Sequence, residues 1–158
     1  MSEHYDKSNF KMNPAAVTYG DIKLGGTDGP VSISQEISYY EVKCNQAGDQ
    51  VLGKVITGVK VTVKATFKEI TKALEAVIGS AKKVNSSLVG TDIFEDAKVL
   101  QLAEIGGTDT YKFPAAVALK DMSYDMNGVE QTGIEISFEC IADSTGLIWE
   151  VTQSSVVA

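Results

Sequence analysis

Residues 58–79 read GVKVTVKATFKEITKALEAVIG, and two periodicities meet inside them. Val59, Val61, Val63, Ala65 and Phe67 alternate with Lys60, Thr62, Lys64, Thr66 and Lys68. A period of two is the mark of a strand with one buried face. From Ile70 the apolar residues recur at Ala73, Leu74, Val77 and Ile78, which is one stripe along an amphipathic helix. The join from Phe67 to Ile70 contains neither Pro nor Gly, so the strand is expected to run directly into a helix over 69–79. Gly79 is placed to cap it. The apolar side, Val59 to Phe67, is expected to pack on a core, and the lysine stripe on the other side is left to be explained.

Upstream lies VSISQEISYYEVKC, residues 31–44, where Val31, Ile33, Ile37 and Tyr39 alternate with Ser32, Ser34, Glu36 and Ser38. This predicts a half-buried strand. The doubled Tyr39-Tyr40 shifts the phase, as a β-bulge would, so that Tyr40, Val42 and Cys44 carry the apolar face onward. Residues 45–57, NQAGDQVLGKVIT, read as a polar, Gly-bearing connection resembling an extended hairpin loop. Val17 to Leu24 predicts a short strand, and GGTDGP at 25–30 is turn chemistry. Residues 1–13 are polar and patternless and read as an N-terminal arm, leaving 14–158 as a single domain.

Downstream, 81–96 shows no dominant period, and Lys98 to Ile105 predicts a strand ended by the GGTDT turn at 106–110. Phe113 to Tyr124 predicts a strand starting at Pro114, and Met126-Asn127-Gly128 a tight hairpin. Ile134, Ile136, Phe138 and Cys140 alternate with Glu135, Ser137 and Glu139, and a last strand over 147–151 carries Trp149. The fold class is mainly β: about seven strands, predominantly antiparallel, in a sandwich or partial barrel with one flanking helix. PAAV recurs at 14–17 and 114–117 and GGTD at 25–28 and 106–109, but the offsets differ, so no single duplication explains them.

Composition narrows the function. The chain of 158 residues has 14 basic and 21 acidic residues, a net charge of −7 and a pI near 4.7. Such a surface repels nucleic acid. No apolar run approaches the roughly 20 residues of a bilayer span, and the first residues show no apolar export segment. Cys44 and Cys140 end alternating apolar runs and read as small buried hydrophobes with no metal-ligand spacing, a disulfide or redox role being the alternative. His4, the only histidine, lies in the arm, which rules out a His-centred triad or cluster. The glycine pairs match no phosphate-binding pattern. Asp92, Glu95 and Asp96 lack calcium-loop spacing and read as a solvated face. Glu135 and Glu139 stand about 13 Å apart along a strand, too far for a glycosidase pair. The reading is therefore not an enzyme, with no cofactor and no metal.

The order of these features resembles the bacteriophage tail tube family, over about Asn13 to Asp143. It is carried by the PAAV strand and its Gly-rich turn, the long strand and loop, GVKVTVKATFKEITKALEAVIG, and KFPAAVALKDMSYDMNGVEQTGIEISFECIAD. The resemblance implies a structural virion protein. Six copies would form a ring whose inner strands join into one large β-barrel, and rings would stack into a tube around a tape measure protein. Sheath, tail terminator and baseplate proteins would be further partners, and no membrane is involved. Such a protein is made in the host bacterial cytoplasm and ends in the virion tail. Strands 31–44, 58–68, 115–124 and 130–142 would line the lumen. The lumen-facing candidates are Ser32, Ser34, Glu36, Lys60, Thr62, Lys64, Glu135, Ser137 and Glu139. DNA would pass without specific binding, since six copies at −7 carry about −42 charges, and lysine contacts to phosphate are what hold DNA. Lys60 and Lys64 then require pairing with neighbouring glutamates. The loop, through Asn45, Gln46, Asp49, Gln50 and Lys54, would contact adjacent rings. The alternatives are the inner tube of a contractile injection or secretion system and a monomeric ligand-binding sandwich.

Overall fold

The computed structural model describes residues 14–25, 27, 29–43, 48, 50–79, 81–126, 128 and 132–153. Among these residues eight strands form one antiparallel sheet: β1 (Ala15–Tyr19), β2 (Ile22–Gly25), β3 (Ser32–Lys43), β4 (Val51–Phe67), β5 (Lys98–Glu104), β6 (Asp109–Ala118), β7 (Ile134–Ile141) and β8 (Glu150–Gln153). Their order is β2-β1-β5-β6-β7-β4-β3, with β8 on β6. One helix, α1 (Ile70–Ile78), follows β4. Three-ten turns stand at Ser86–Leu88 and Ile93–Asp96, in the stretch without a dominant period.

The sheet folds over on itself because its apolar faces must meet. Val17, Tyr19 and Leu24 from β1 and β2, with Leu100 and Leu102 from β5, pack against Val61, Val63, Ala65 and Phe67 of β4 and Ile134, Ile136 and Phe138 of β7. The Phe138 ring lies 5.1 Å from Tyr19 and meets Phe67 edge-on at 6.4 Å, the tilted arrangements that ring quadrupoles favour. Two ties draw the leaves together. Thr27 bridges Phe67. Trp149 stacks on Phe113 at 5.7 Å and donates its indole N–H to Gln35 Oε1 at 2.9 Å, reaching over to β3. The sheet does not close into a barrel within one chain.

The strand-to-helix join behaves as its sequence requires. Ala73 N–H bonds to Glu69 C=O, so the helical ladder opens two residues after the strand. Ala73, Ala76 and Val77 are buried, and α1 lies over β2 and β7 on the core side of the sheet. Gly79, at φ +91°, ends the helix. The Lys120 ammonium donates to Val77 C=O at 2.7 Å, a cation at the negative end of the helix dipole. Gly25 holds φ +71°, a backbone conformation that residues with a side chain rarely adopt, and the Glu69 carboxylate occupies the space beside it.

Several boundaries differ from expectation. Val17 to Leu24 is not one strand but a hairpin turning at Gly20 and Asp21, with Gly20 at φ +60°. Residues 51–57 are not loop: β4 begins at Val51. β6 does not start at Pro114 but at Asp109, and Pro114 sits inside it. That is permitted because Pro114 falls where β8 pairing ends at Lys112, β7 pairing begins at Ala115, and the β5 register shifts. β6 stops at Ala118, short of the Tyr124 expected, and β7 begins at Ile134; the turn expected at Met126-Asn127-Gly128 includes Asn127, which lies outside the described residues. The last strand runs later than 147–151, with Trp149 just before it.

Candidate functional site

The outer half of the sheet is a wall of four adjacent strands, β6-β7-β4-β3, drawn from the four segments that sequence reading placed together. Residues directly opposite each other in an antiparallel pair share a face. Across β3, β4 and β7 the rows are Ser32–Lys64–Ser137 and Ser34–Thr62–Glu139, flanked by Glu36–Lys60 and Thr66–Glu135. All nine of Ser32, Ser34, Glu36, Lys60, Thr62, Lys64, Glu135, Ser137 and Glu139 thus lie on one face, opposite the core. Lys64 Nζ stands 3.5 Å from Glu135 Oε1, one step diagonally across the ladder. Val117, opposite Glu139, is apolar and buried, so the face is not polar throughout.

Sequence reading missed three residues of this wall. Ala116 and Ala118 of β6 point to the core. Past the end of the strand, Met122 and Tyr124 still pack on the core while Asp121, Ser123 and Asp125 are exposed. The alternation of β6 therefore continues without a ladder, and the two aspartates and the serine fall on the polar side. The signal was present in DMSYD, residues 121–125, as strict alternation. With them the wall carries five carboxylates, Glu36, Asp121, Asp125, Glu135 and Glu139, against Lys60 and Lys64.

The two lateral ends of the wall differ: among the described residues β3 offers unpaired backbone, while the β6 edge is covered as far as Ala118. β3 pairs only with β4, so its other edge is open from Ser32 to Lys43. At the opposite end β5 reaches no further than Ala116. There the Tyr19 hydroxyl stands in for a strand, donating to Ala116 C=O at 3.1 Å and accepting from Ala118 N–H at 3.4 Å. Burial raises the pKa of Tyr19, so the phenol stays protonated and keeps both roles.

Beyond the wall, β3 and β4 continue as an arm. The phase shift expected at Tyr39-Tyr40 on β3 is a bulge on β4 instead. Ser38 faces Gly58 while Tyr39 faces Ile56, which leaves Thr57 as the extra residue; a second shift leaves out Leu52. β3 itself keeps its alternation. Tyr40 and Val42 consequently do not turn to the core side but continue the Ser32–Ser38 face, joined there by Val55. The other face carries Tyr39 beside Ile56 and Glu41 beside Lys54. Lys54 stands 3.8 Å from Glu41 and 5.7 Å from the Tyr39 ring centre. Tyr40 (64% exposed), Ile56 (59%), Leu52 (59%) and Val55 (54%) leave both faces of the arm apolar and in solvent. Val59, expected on the core, is 45% exposed, because the core begins only at Val61. β3 is exposed nearly throughout and is not the half-buried strand expected.

Of the residues expected to contact adjacent rings, Lys54 lies on this arm and Gln50 just before it, exposed; Asn45, Gln46 and Asp49 lie outside the described residues, as does Cys44. Burial pushes the Cys140 thiol up to about 12, so it is an inert core thiol. Among the described residues no group of three His, Cys, Asp or Glu side chains is placed to hold a metal, and no helix is long and apolar enough to cross a membrane. No family model and no curated protein matches the sequence. In fold, the chain is similar to a chain of the cryo-EM structure of the anti-feeding prophage cap, its tube-terminating cap, with a TM-score of 0.61, at 9% identity, over 98% of this chain and 95% of that one.

Proposed function

We propose that this chain is a structural, non-enzymatic subunit of a phage tail or phage-tail-like injection system, whose copies join edge to edge into a ring that stacks into a tube. The observation that carries the reading is the wall. Its four strands alternate in direction, so the β3 edge of one copy meets, in antiparallel sense, the segment that follows β6 beyond Ala118 in the next, and repetition closes a barrel. The nine polar residues, with Asp121, Ser123 and Asp125, then face the lumen. Their acidic excess and the Lys64–Glu135 pair favour passage of an anionic polymer over its retention. The similar fold from a tube-terminating cap supports a place in such an assembly and favours the contractile-injection version over a plain phage tail. Six copies per ring, the tape measure protein in the lumen, sheath, terminator and baseplate contacts, and a virion location complete the proposal.

The arm supplies the contact along the tube. With apolar side chains on both faces, it buries most when inserted between two neighbouring copies, and Gln50 and Lys54 come with it. Negative-stain microscopy of the purified protein tests the reading. Rings or tubes with a central hole are expected. A monomer at every concentration, with neither rings nor tubes, overturns it.

A further inference from the structure

On the side of the sheet away from the polar wall, the end of α1 and the segment after it enclose an open cavity of about 320 Å³. Its floor is Val77 and Ile78, its outer wall is Val84 and Leu88, and Lys83 and Lys120 stand at its rim. No Asp or Glu lines it. From Gly79 to Thr91 the chain has no acidic residue at all, in a protein of net charge −7. Lys82 holds φ +54°, uncommon for a residue with a side chain, and its N–H bonds back to Gly79 C=O to make the tight turn that swings Lys83 and Val84 over the helix end. Lys83 has no carboxylate partner among the described residues. Val84 is 65% exposed and Val89, just outside the cavity, 88%.

We propose that this cavity is a docking site for an acidic segment of a different protein, one large apolar side chain entering it and flanking carboxylates meeting Lys83 and Lys120. The charges select the occupant. The charged side chains at the cavity, Lys83 and Lys120, are both cationic, with Asn85, Ser87 and Thr91 neutral beside them, in a chain of net charge −7, so a neutral or basic segment gains no ion pair while an acidic one does. The volume sits at the low end of ligand cavities, about 300–1,000 Å³, and fits one or two side chains. A nucleic acid would need a longer basic track and would meet the repulsion of the whole chain. The cavity lies on the α1 side of the sheet, away from the lumen-facing residues of the wall; Lys120 follows closely on the β6 end where the ring would close, whereas Lys83 and Val84 lie apart from that seam.

The test is fluorescence anisotropy with the full chain and a fluorescein-labelled peptide EELFEE, beside QQLFQQ and KKLFKK. Saturable one-to-one binding of EELFEE is expected, weakened about tenfold or more by Lys83→Glu and again by raising salt, with QQLFQQ weaker and KKLFKK not binding. Lys120 also caps α1, so Lys120→Glu is read alongside circular dichroism, while the exposed Val84→Asp probes the apolar wall without touching the helix. No saturation of EELFEE up to millimolar protein, equal binding of the three peptides, or indifference to both Lys83→Glu and Val84→Asp would overturn the site. None of these outcomes bears on ring formation.

Discussion

The two halves of β4 share one strand and opposite fates. From Val61 to Phe67 every second residue is sealed in the core, and the residues between them form the middle of the polar wall. From Val51 to Val59 the strand is no less apolar, yet its side chains stand in solvent. The boundary falls between Val59 and Val61, just core-ward of the Thr57 bulge, and beyond it no second layer covers the sheet. The lower half stabilises the subunit; in the proposed assembly the upper half meets a neighbouring copy. The contrast teaches that apolar content alone does not locate a core; a second layer must be present to receive it.

The sharpest way to break this contrast is to truncate one side chain in each half. Phe138→Ala, in the row that pairs with Val63, should cost about 3–5 kcal/mol of folding stability, measured by urea denaturation. Exposed positions usually move stability by no more than about 0.5 kcal/mol. Combined Tyr40→Ser, Leu52→Ser and Ile56→Ser should therefore leave the unfolding curve of the monomer almost unchanged while abolishing rings in sedimentation velocity. Intact assembly after these three changes would mean that the arm is not an interface.

A smaller effect is expected on the polar face. The Lys64–Glu135 pair is more than half exposed on both sides, so Lys64→Glu should shift stability by less than about 1 kcal/mol. The exchange Lys64→Glu with Glu135→Lys should restore the thermal midpoint. A loss comparable to Phe138→Ala would show that the wall is a buried face in the free subunit.

The smallest effect is a local pH response outside both halves. Asp143 accepts hydrogen bonds from Thr145 N–H (2.8 Å), Thr145 Oγ1 (2.6 Å) and Leu147 N–H (3.0 Å). The Thr145 hydroxyl bond is the largest of the effects that lower its pKa. A carboxylate with a depressed value in the folded state supports that state at neutral pH, and the support is lost as pH falls through the depressed value. The amide signals of Thr145 and Leu147 should therefore titrate together below the ordinary carboxylate range, with the core signals still. A midpoint at the ordinary value would contradict the hydrogen bonds.

Strict alternation proved a sound guide where it lay over a core. Ile134, Ile136, Phe138 and Cys140 are buried as their spacing predicts, and the stripe from Ile70 to Ile78 is a helix ended by Gly79. Alternation misled where two registers compete. Tyr39-Tyr40 signals a bulge near its true level, but which strand takes the extra residue depends on pairing, and it is Thr57 on the partner. VLGKVIT, with two intervening polar or glycine positions, reads as loop because the apolar residues of an uncovered arm follow no burial rule. Pro114 reads as a strand start because local rules exclude it from a ladder, while the sheet accommodates it where three pairings change over.

The sequence by itself determined the mainly β class, the strand running into one helix, the acidic balance and the polar stripe on each wall strand, since these follow from residue type and period. Only the tertiary structure decided that those stripes lie side by side on one face, that Asp121 and Asp125 extend them, and that Tyr39 to Lys43 of β3 and Val51 to Ile56 of β4 stand clear of any core. Such facts depend on strand order and register, which are set by contacts between residues far apart in the chain, and no local pattern encodes them.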